Sequence, residues 1–134
     1  MDQEPSGAER IRVLIADDHL LFAEALSTLL GRHDRIDVVG AAVTGADAID
    51  QALVQRADVV VMDVSMPGID GLETTRRLRT IAPRTRVIVL TGLTDSDLER
   101  RASDAGASAL LTKGAADREV IDAILSIYDE RIDV

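Results

Sequence analysis

The feature that most constrains this chain is an apolar run, Val59 to Met62, that ends on one carboxylate, Asp63. A turn rich in proline, glycine and aspartate follows directly, at positions 64–71. A short apolar run bounded by turn residues predicts a strand buried on both faces, as in a parallel sheet. Asp63 would then lie at the carboxyl end of that strand, where open α/β sheets place their ligands. A buried carboxylate costs desolvation unless a cation or hydrogen-bond donors compensate it.

Alternating apolar runs and amphipathic segments predict five strands and five helices. The predicted strands are Ile11 to Ala16, Asp37 to Val43, Val59 to Asp63, Arg86 to Leu90 and Ser108 to Thr112. The predicted helices are Leu21 to Leu30, Gly45 to Gln55, Gly71 to Ala82, Asp95 to Ala105 and Asp117 to Tyr128. Short connections between alternating strands and helices require right-handed crossovers, which predicts an α/β fold with a doubly wound five-stranded parallel sheet.

The helical spacing also predicts which side chains face the core. They include Phe22, Ala25 and Leu26 in the first helix, Ala48, Ala52 and Leu53 in the second, and Leu72, Leu78 and Ile81 in the third. The fourth helix has only a thin apolar stripe, so we expect it to be the least firmly packed element.

The length of 134 residues fits one domain, predicted at residues 11–128. Residues 1–10 lack periodicity and are interpreted as a loose leader, and residues 129–134 as a tail or the start of a linker. Cysteine is absent, which excludes disulfides and cysteine zinc sites. No apolar run is long enough for a membrane span and no signal peptide is recognisable, so we expect a cytoplasmic protein without membrane contact.

The charge pattern bears on partners. The net charge of -9 argues against direct binding of nucleic acid by this chain. Fourteen of the fifteen basic residues are arginine, and Lys113 is the only lysine. It lies just past an apolar strand, which favours a specific role for it over chance.

Polar side chains end four of the five predicted strands. They are Asp17 and Asp18, Asp63, Thr91, and Lys113. Because the carboxyl ends of parallel strands meet at one edge, we expect these groups to converge. Three close carboxylates repel one another unless a cation is held between them, and hard carboxylate oxygens with no histidine or cysteine favour Mg²⁺ over softer metals. With a lysine and a hydroxyl opposite, the arrangement suits phosphoryl transfer, with Asp63 as the candidate nucleophile.

Four motifs carry a resemblance to a known family. They are Ile-Ala-Asp-Asp-His ending at His19, Val-Met-Asp-Val-Ser-Met-Pro-Gly-Ile-Asp-Gly ending at Gly71, Val-Leu-Thr-Gly ending at Gly92, and Gly-Ala-Ser-Ala-Leu-Leu-Thr-Lys ending at Lys113. In this order they resemble the receiver domain of two-component response regulators, in the NarL/FixJ (LuxR-type) branch. The resemblance covers Ile11 to Tyr128 and implies a flavodoxin-like (βα)5 receiver fold.

The resemblance also implies roles. A sensor histidine kinase would phosphorylate Asp63, and the domain would catalyse only its own phosphorylation and dephosphorylation. The change would control an output, typically transcription through a DNA-binding domain in a longer protein, with homodimer formation as a possible response to phosphorylation. The implied Mg²⁺ ligands are Asp17, Asp18, Asp63 and the carbonyl of Ser65, and the implied phosphoryl contacts are Thr91 and Lys113.

The sequence departs from the family pattern at two positions. Receiver domains usually carry Tyr or Phe three residues before the lysine, where a rotamer change reports phosphorylation, and this chain has Leu110. Many have proline after the lysine in a cis peptide bond, and this chain has Gly114. A cis bond before a residue other than proline costs about 3 kcal/mol, and the sequence leaves the isomer open. Both departures concern the switch and not the phosphoryl chemistry.

Other interpretations remain open at this stage. The acidic pair could be a turn with a helix cap, Thr91-Gly92 could be only a turn, and His19 is assigned no chemistry. An aspartate-dependent phosphohydrolase would also use a strand-end aspartate and Mg²⁺, although such enzymes usually place a second acid where this chain has Ser65. A passive flavodoxin-like binding module leaves the acids and the lysine unexplained. A stand-alone receiver acting through protein contacts is a further alternative.

Overall fold

The computed structural model describes residues 10–92, 94–115 and 117–133, the last three as backbone only. In chain order its elements are β1 (Ile11–Ala16), α1 (Leu20–Gly31), β2 (Ile36–Ala42), α2 (Gly45–Val54), β3 (Val59–Asp63), α3 (Gly71–Ile81), β4 (Arg86–Thr91), α4 (Ser96–Ala105), β5 (Ala109–Thr112) and α5 (Asp117–Asp133). The predicted alternation is confirmed, with every boundary but one at the predicted residue or one residue from it. The exception is α5, which continues through residues 129–133, where the sequence suggested a tail.

All five strands pair in parallel in the order β2-β1-β3-β4-β5, so the apolar run of β3 lies at the centre of the sheet. This is the flavodoxin-like strand order, and it confirms the predicted fold class. The order reverses between β1 and β3, because the chain moves outward to β2 and then crosses back. Ala16 of β1 pairs with Met62, and Asp63 pairs with Leu90 of β4. The carboxyl ends of β1, β3 and β4 therefore lie side by side where the strand order reverses, which is where such sheets form their ligand sites.

Successive residues of β3 point into different cores, which explains why the run is apolar throughout. Val60 and Met62 pack under α2, α3 and α4, whereas Val59 and Val61 pack under α1 and α5. Every residue of β3 is buried. A central parallel strand with helices on both faces has no solvent side, so it needs no polar alternation.

Three side chains predicted to face the core are exposed, and these predictions were wrong. They are Ala25 in α1, Leu53 in α2, which is 46% exposed, and Ile81 in α3, which is 49% exposed. In α2 the small residues Gly45, Ala48 and Ala52 form the contact surface, so the helix lies close to the sheet and Leu53 falls outside the contact.

In α3 two polar residues, Thr74 and Thr75, take part in the buried face. Their hydroxyls donate hydrogen bonds to the carbonyl oxygens of Asp70 and Gly71, at 2.8 and 2.7 Å. Burial is tolerated because each hydroxyl is satisfied within the helix. The inward face of α3 is therefore rotated away from Ile81. No helix among the described residues is long and apolar enough to cross a membrane.

Candidate functional site

Asp63 is placed by the end of β3 and by the turn that returns the chain into α3. The amide of Gly71 donates to the carbonyl of Val64 at 2.9 Å. A Cβ atom at position 71 would collide with the carbonyl oxygen of Asp63, so the close return requires glycine there. The Asp63 side chain is only 3% exposed, and its Oδ2 accepts no hydrogen bond from any described residue. The site therefore holds a buried carboxylate oxygen without a donor.

Asp17 and Asp18 follow β1, which is the neighbour of β3 at the reversal point of the sheet. The amide of Asp17 continues the strand pairing by donating to the carbonyl of Ala42 at 2.9 Å. Its side chain is buried, with an exposed fraction of 2%, whereas that of Asp18 is 35% exposed. The two acids thus differ in environment: Asp17 belongs to the floor of the site and Asp18 to its rim.

Lys113 approaches the acids from the end of β5. Its Nζ lies 2.9 Å from Asp17 Oδ2 and 3.5 Å from Asp63 Oδ1. The backbone amide of Lys113 donates to the carbonyl of Thr91 at 2.7 Å, and the ammonium lies 4.7 Å from the centre of the Phe22 ring. Phe22 covers the lysine, which limits its hydration and strengthens its attraction to the carboxylates.

The electrostatic balance at Asp63 favours the protonated form relative to an ordinary aspartate. Burial is the largest cause of a raised pKa for Asp63, and the neighbouring charge of Asp17 adds to it. Lys113, a hydrogen bond from the backbone amide of Ser65 and the nearby His19 act in the opposite direction. One lysine does not fully compensate the acids, which leaves the site short of positive charge.

Thr91 and Ser65 lie at the same edge of the sheet. Thr91 ends β4, pairs with Thr112 and is buried. Ser65 is exposed and lies two residues after Asp63. A cavity of about 580 Å³ opens beside the acids, and Asp18, Ser65 and Arg101 are among its lining residues. The cavity leaves space beside Asp18 and Ser65, at the rim of the site, for a group larger than an ion.

His19 is a site residue to which sequence reasoning assigned no chemistry. Its Nδ1 lies 2.9 Å from Lys113 Nζ, 3.2 Å from Asp17 Oδ1 and 3.8 Å from Asp63 Oδ2. Its backbone amide donates to Asp17 Oδ1 at 2.8 Å. The available signal was its position directly after two strand-end acids. The approach of Nδ1 to these acids depends on backbone geometry that a sequence pattern does not contain, and the side chain as a whole is 65% exposed.

The two positions that depart from the family pattern lie next to this cluster. Leu110 pairs with Val89 in the sheet and packs, half-buried, against the core under α3 and α4. No cis peptide bond occurs among the described residues, so the bond between Lys113 and Gly114 is trans.

The acids fit a divalent cation. Ligand atoms of Asp17, Asp18, His19 and Asp63 all lie within 4.8 Å of one another. Hard oxygen donors suit Mg²⁺, and the unpartnered Oδ2 of Asp63 is a buried lone-pair donor that a cation would satisfy. The structure thus brings the predicted acids and the lysine to one place, while the role of each residue stays a prediction.

Comparison with known proteins gives consistent results. The family model of the response regulator receiver domain matches residues 13–125. Response regulator UvrY of Escherichia coli K12 is 42% identical over 118 residues, which cover 88% of this chain and 54% of that protein. Response regulator GacA of Pseudomonas aeruginosa is 39% identical over 118 residues, with 88% and 55% covered. The chain therefore spans about half the length of these relatives.

Solved structures show the same similarity. The signal receiver domain of the putative response regulator NarL from Mycobacterium tuberculosis matches with a TM-score of 0.86 and 30% identity, covering 90% of this chain and 98% of that one. A LuxR-family two-component response regulator from Aurantimonas matches with a TM-score of 0.86 and 30% identity, covering 90% and 86%. A CheY-like receiver domain protein from Methanospirillum hungatei, 22% identical with a TM-score of 0.84 over 92% and 98%, supports the fold alone.

Proposed function

This chain belongs to the receiver domains of response regulators, in the LuxR-type (NarL/FixJ) branch, and we propose that it accepts a phosphoryl group on Asp63 from a sensor histidine kinase. The observation that carries the proposal is the buried Asp63 carboxylate, whose Oδ2 has no hydrogen-bond donor while Lys113 and two further acids lie beside it. A cavity lined by Asp18 and Ser65 at the rim of the site offers space for the donor group.

In the proposed reaction an Asp63 oxygen attacks phosphorus, and the bond between phosphorus and the donor nitrogen breaks as the acyl phosphate forms. Lys113 lies where it can meet the negative charge of the transferred group, since its Nζ is 3.5 Å from Asp63 Oδ1. Thr91 would offer its hydroxyl as a donor from the end of β4. Asp63 must be ionised to attack, so its raised pKa makes nearby positive charge important for the reaction.

We assign a Mg²⁺ site to Asp17, Asp18, Asp63 and the backbone carbonyl of Ser65. When bound, Mg²⁺ would neutralise charge on the oxygens of the transferred group. Buried Asp17 would fix the position of the ion from below, while Asp18 on the rim, 35% exposed, can adjust its side chain to it.

We propose that the chain is not an enzyme beyond its own phosphorylation and dephosphorylation, and that it acts in the cytoplasm. Its output would be transcription, exerted through a DNA-binding domain of a longer protein, while this acidic domain itself makes no direct contact with DNA. Phosphorylation would act through protein contacts, including pairing of two receiver domains. The alternative, an aspartate-dependent phosphohydrolase, is disfavoured because the residue two positions after Asp63 is Ser65 and not a second acid.

Incubation with acetyl phosphate and Mg²⁺, followed by mass spectrometry, tests the proposal. One phosphoryl group per chain should appear, and it should be absent from Asp63→Asn. The matched control is Asp50→Asn, an exposed acid on α2, which should be labelled like the wild type. Label that persists on Asp63→Asn would contradict the assignment. Continuous release of phosphate from an ester substrate would instead support the phosphohydrolase.

A further inference from the structure

The side chain of His19 is 65% exposed, but its Nδ1 lies against the acid cluster and the ring is not used to cap its helix. His19 is the residue before α1, with φ -84° and ψ 92°, and its side chain makes no capping hydrogen bond. Its Nδ1 lies 3.2 Å from Asp17 Oδ1 and 3.8 Å from both Asp18 Oδ1 and Asp63 Oδ2. A ring that served only the local helix start would have no reason to converge on three carboxylates.

The contact with Lys113 indicates which part of the ring faces the site. The lysine ammonium has only donors, so His19 Nδ1 accepts from Lys113 Nζ at 2.9 Å in the tautomer protonated on Nε2, whereas in the other tautomer Nδ1–H faces Asp17 Oδ1 at 3.2 Å. In the tautomer protonated on Nε2, Nδ1 presents its lone pair beside the carboxylates. A lone pair is what an imidazole needs in order to bind a metal.

The spacing of the donor atoms fits a single ion. Two ligands on opposite sides of one ion lie about 4 Å apart when each bond is about 2.1 Å, and all four donor atoms here lie within 4.8 Å of one another. A small inward movement of the rim residues would close the difference. The Oδ2 of Asp63 is buried and accepts no hydrogen bond from the described residues. This unsatisfied oxygen is the observation that indicates a bound cation at this place.

We propose that His19 adds a nitrogen ligand to this carboxylate site, so that the site binds divalent transition-metal ions of the Co²⁺, Ni²⁺ and Zn²⁺ class in addition to Mg²⁺. Imidazole is a favoured ligand for these ions, and Mg²⁺ prefers oxygen. The inference rests on the cation site of the proposed function and concerns which ions that site selects.

The other histidine offers a matched control. His33 lies between α1 and β2, and its Nδ1 accepts the backbone amide of Arg35 at 3.1 Å, which is a local turn contact. Tag-free wild type, His19→Ala and His33→Ala should each be titrated with Ni²⁺ and with Mg²⁺ by calorimetry. Loss of a residue that only hydrogen-bonds a metal ligand already lowers metal affinity by about 10- to 100-fold. In His19→Ala the ratio of Ni²⁺ affinity to Mg²⁺ affinity should therefore fall by at least about tenfold. In His33→Ala the ratio should stay unchanged.

The affinity ratio separates ligation from an indirect effect through Lys113. If removal of His19 only let the lysine move closer to the acids, affinities for both ions would fall together, and the inference would be overturned. Pulsed electron paramagnetic resonance with Cu²⁺ gives a direct readout, since a coordinated imidazole nitrogen couples to the ion. That coupling should be present in the wild type and His33→Ala and absent from His19→Ala, and coupling that persists would overturn the inference.

Circular dichroism checks that His19→Ala is folded, and His19→Asn serves as the second variant if it is not. Phosphorylation of the wild-type chain in Mg²⁺ alone uses no transition metal. Failure of that labelling would contradict the proposed function, and an unchanged Ni²⁺ preference would contradict only the role of His19.

Discussion

At the scale of single residues, Asp63 serves the proposed chemistry at the expense of stability. Its pKa is raised by burial and by Asp17, so the folded state disfavours the charged form that exists at neutral pH. Its contribution to stability is complete below the unfolded value of 3.8 and is lost as pH rises through the higher folded pKa. A neutral side chain of the same shape has no charge to bury, so its folded state does not lose this stability at neutral pH.

Asp63→Asn should therefore stabilise the domain at neutral pH without Mg²⁺, by about 0.5–2 kcal/mol, the usual range for stabilising substitutions. Urea unfolding in the presence of a chelator measures the change. The gain should shrink as pH falls and vanish well below 3.8, where Asp63 is protonated in both states. Asp50→Asn on the surface should show no comparable gain. A loss of stability at neutral pH would mean that the ionised carboxylate is well compensated.

Lys113 has the opposite effect, because it is the lysine that faces the buried acids. Lys113→Met should destabilise the domain at neutral pH by roughly 1–3 kcal/mol, the cost of leaving a buried polar group without its partner. Saturating Mg²⁺ should recover part of the loss, because a cation between the acids replaces the missing charge. Urea unfolding with and without Mg²⁺ checks this, with Lys113→Arg as the charge-preserving control. No difference between the Met and Arg variants would contradict the electrostatic explanation.

The convergence of Asp17, Asp63 and Lys113 could be predicted because it depends only on strand order and on where each apolar run ends. Parallel strands bring their carboxyl ends together whatever the details of packing. The position of the His19 ring could not be predicted in the same way. It depends on the φ and ψ angles before α1 and on a rotamer that three carboxylates and one lysine decide together.

At the scale of elements, helices and strands were predictable and helix faces were less so. Apolar periodicity located α3, but it selected Ile81 as buried and overlooked Thr74 and Thr75. Hydropathy counts a hydroxyl as polar, whereas a hydroxyl bonded to the preceding turn of its helix is already satisfied. The length of α5 was underestimated because the prediction followed the apolar stripe, which stops at Tyr128, whereas the helix continues through mostly charged residues to Asp133.

The fourth helix buries little apolar surface, and its two ends are capped. Within α4, only Ala102 and Ala105 are buried, with Leu98 half-buried. Its first turn is capped by Asp95, whose side chain accepts the amide of Leu98 at 2.8 Å, and it ends at Gly106, where φ is 96°. Positive φ favours glycine, which therefore terminates the helix without strain.

Asp95→Ala should cost about 1 kcal/mol, the usual value of a lost N-cap, and the loss should be concentrated in α4. Hydrogen exchange followed by mass spectrometry should show faster exchange in α4 than in α3, and a further increase in the variant. Asp104→Ala, which removes an exposed partner of Arg100 near the other end of the helix, should change stability by only a few tenths of a kcal/mol. Equal protection of α3 and α4 would show that the thin apolar contact is sufficient.

At the scale of the whole molecule, the question is how far a change at Asp63 travels. We expect the change to pass through Thr91 at the end of β4, the strand that precedes α4 in the chain and pairs with β5. In receiver domains with an aromatic residue at the position of Leu110, a change that reaches β5 is reported by a large rotamer change. Leucine has neither a ring nor a hydroxyl, so it offers little difference in contact between the two states.

A ligand moves a conformational equilibrium only by its difference in affinity for the two states. Without the aromatic contact, the response to beryllofluoride in Mg²⁺ should be centred on Thr91, Gly92 and the loosely held α4, with little change in β5 or α5. Amide chemical-shift mapping measures it, and Leu110→Tyr is the matched variant, in which the response should extend into β5. Leu110 is half-buried, so the larger side chain can reach solvent and overpacking is limited. Large concerted shifts across β5 and α5 in the wild type would show that the switch operates without the aromatic residue. The switch would then depend on the backbone link between Lys113 and Thr91, whose hydrogen bond of 2.7 Å already joins the two strand ends.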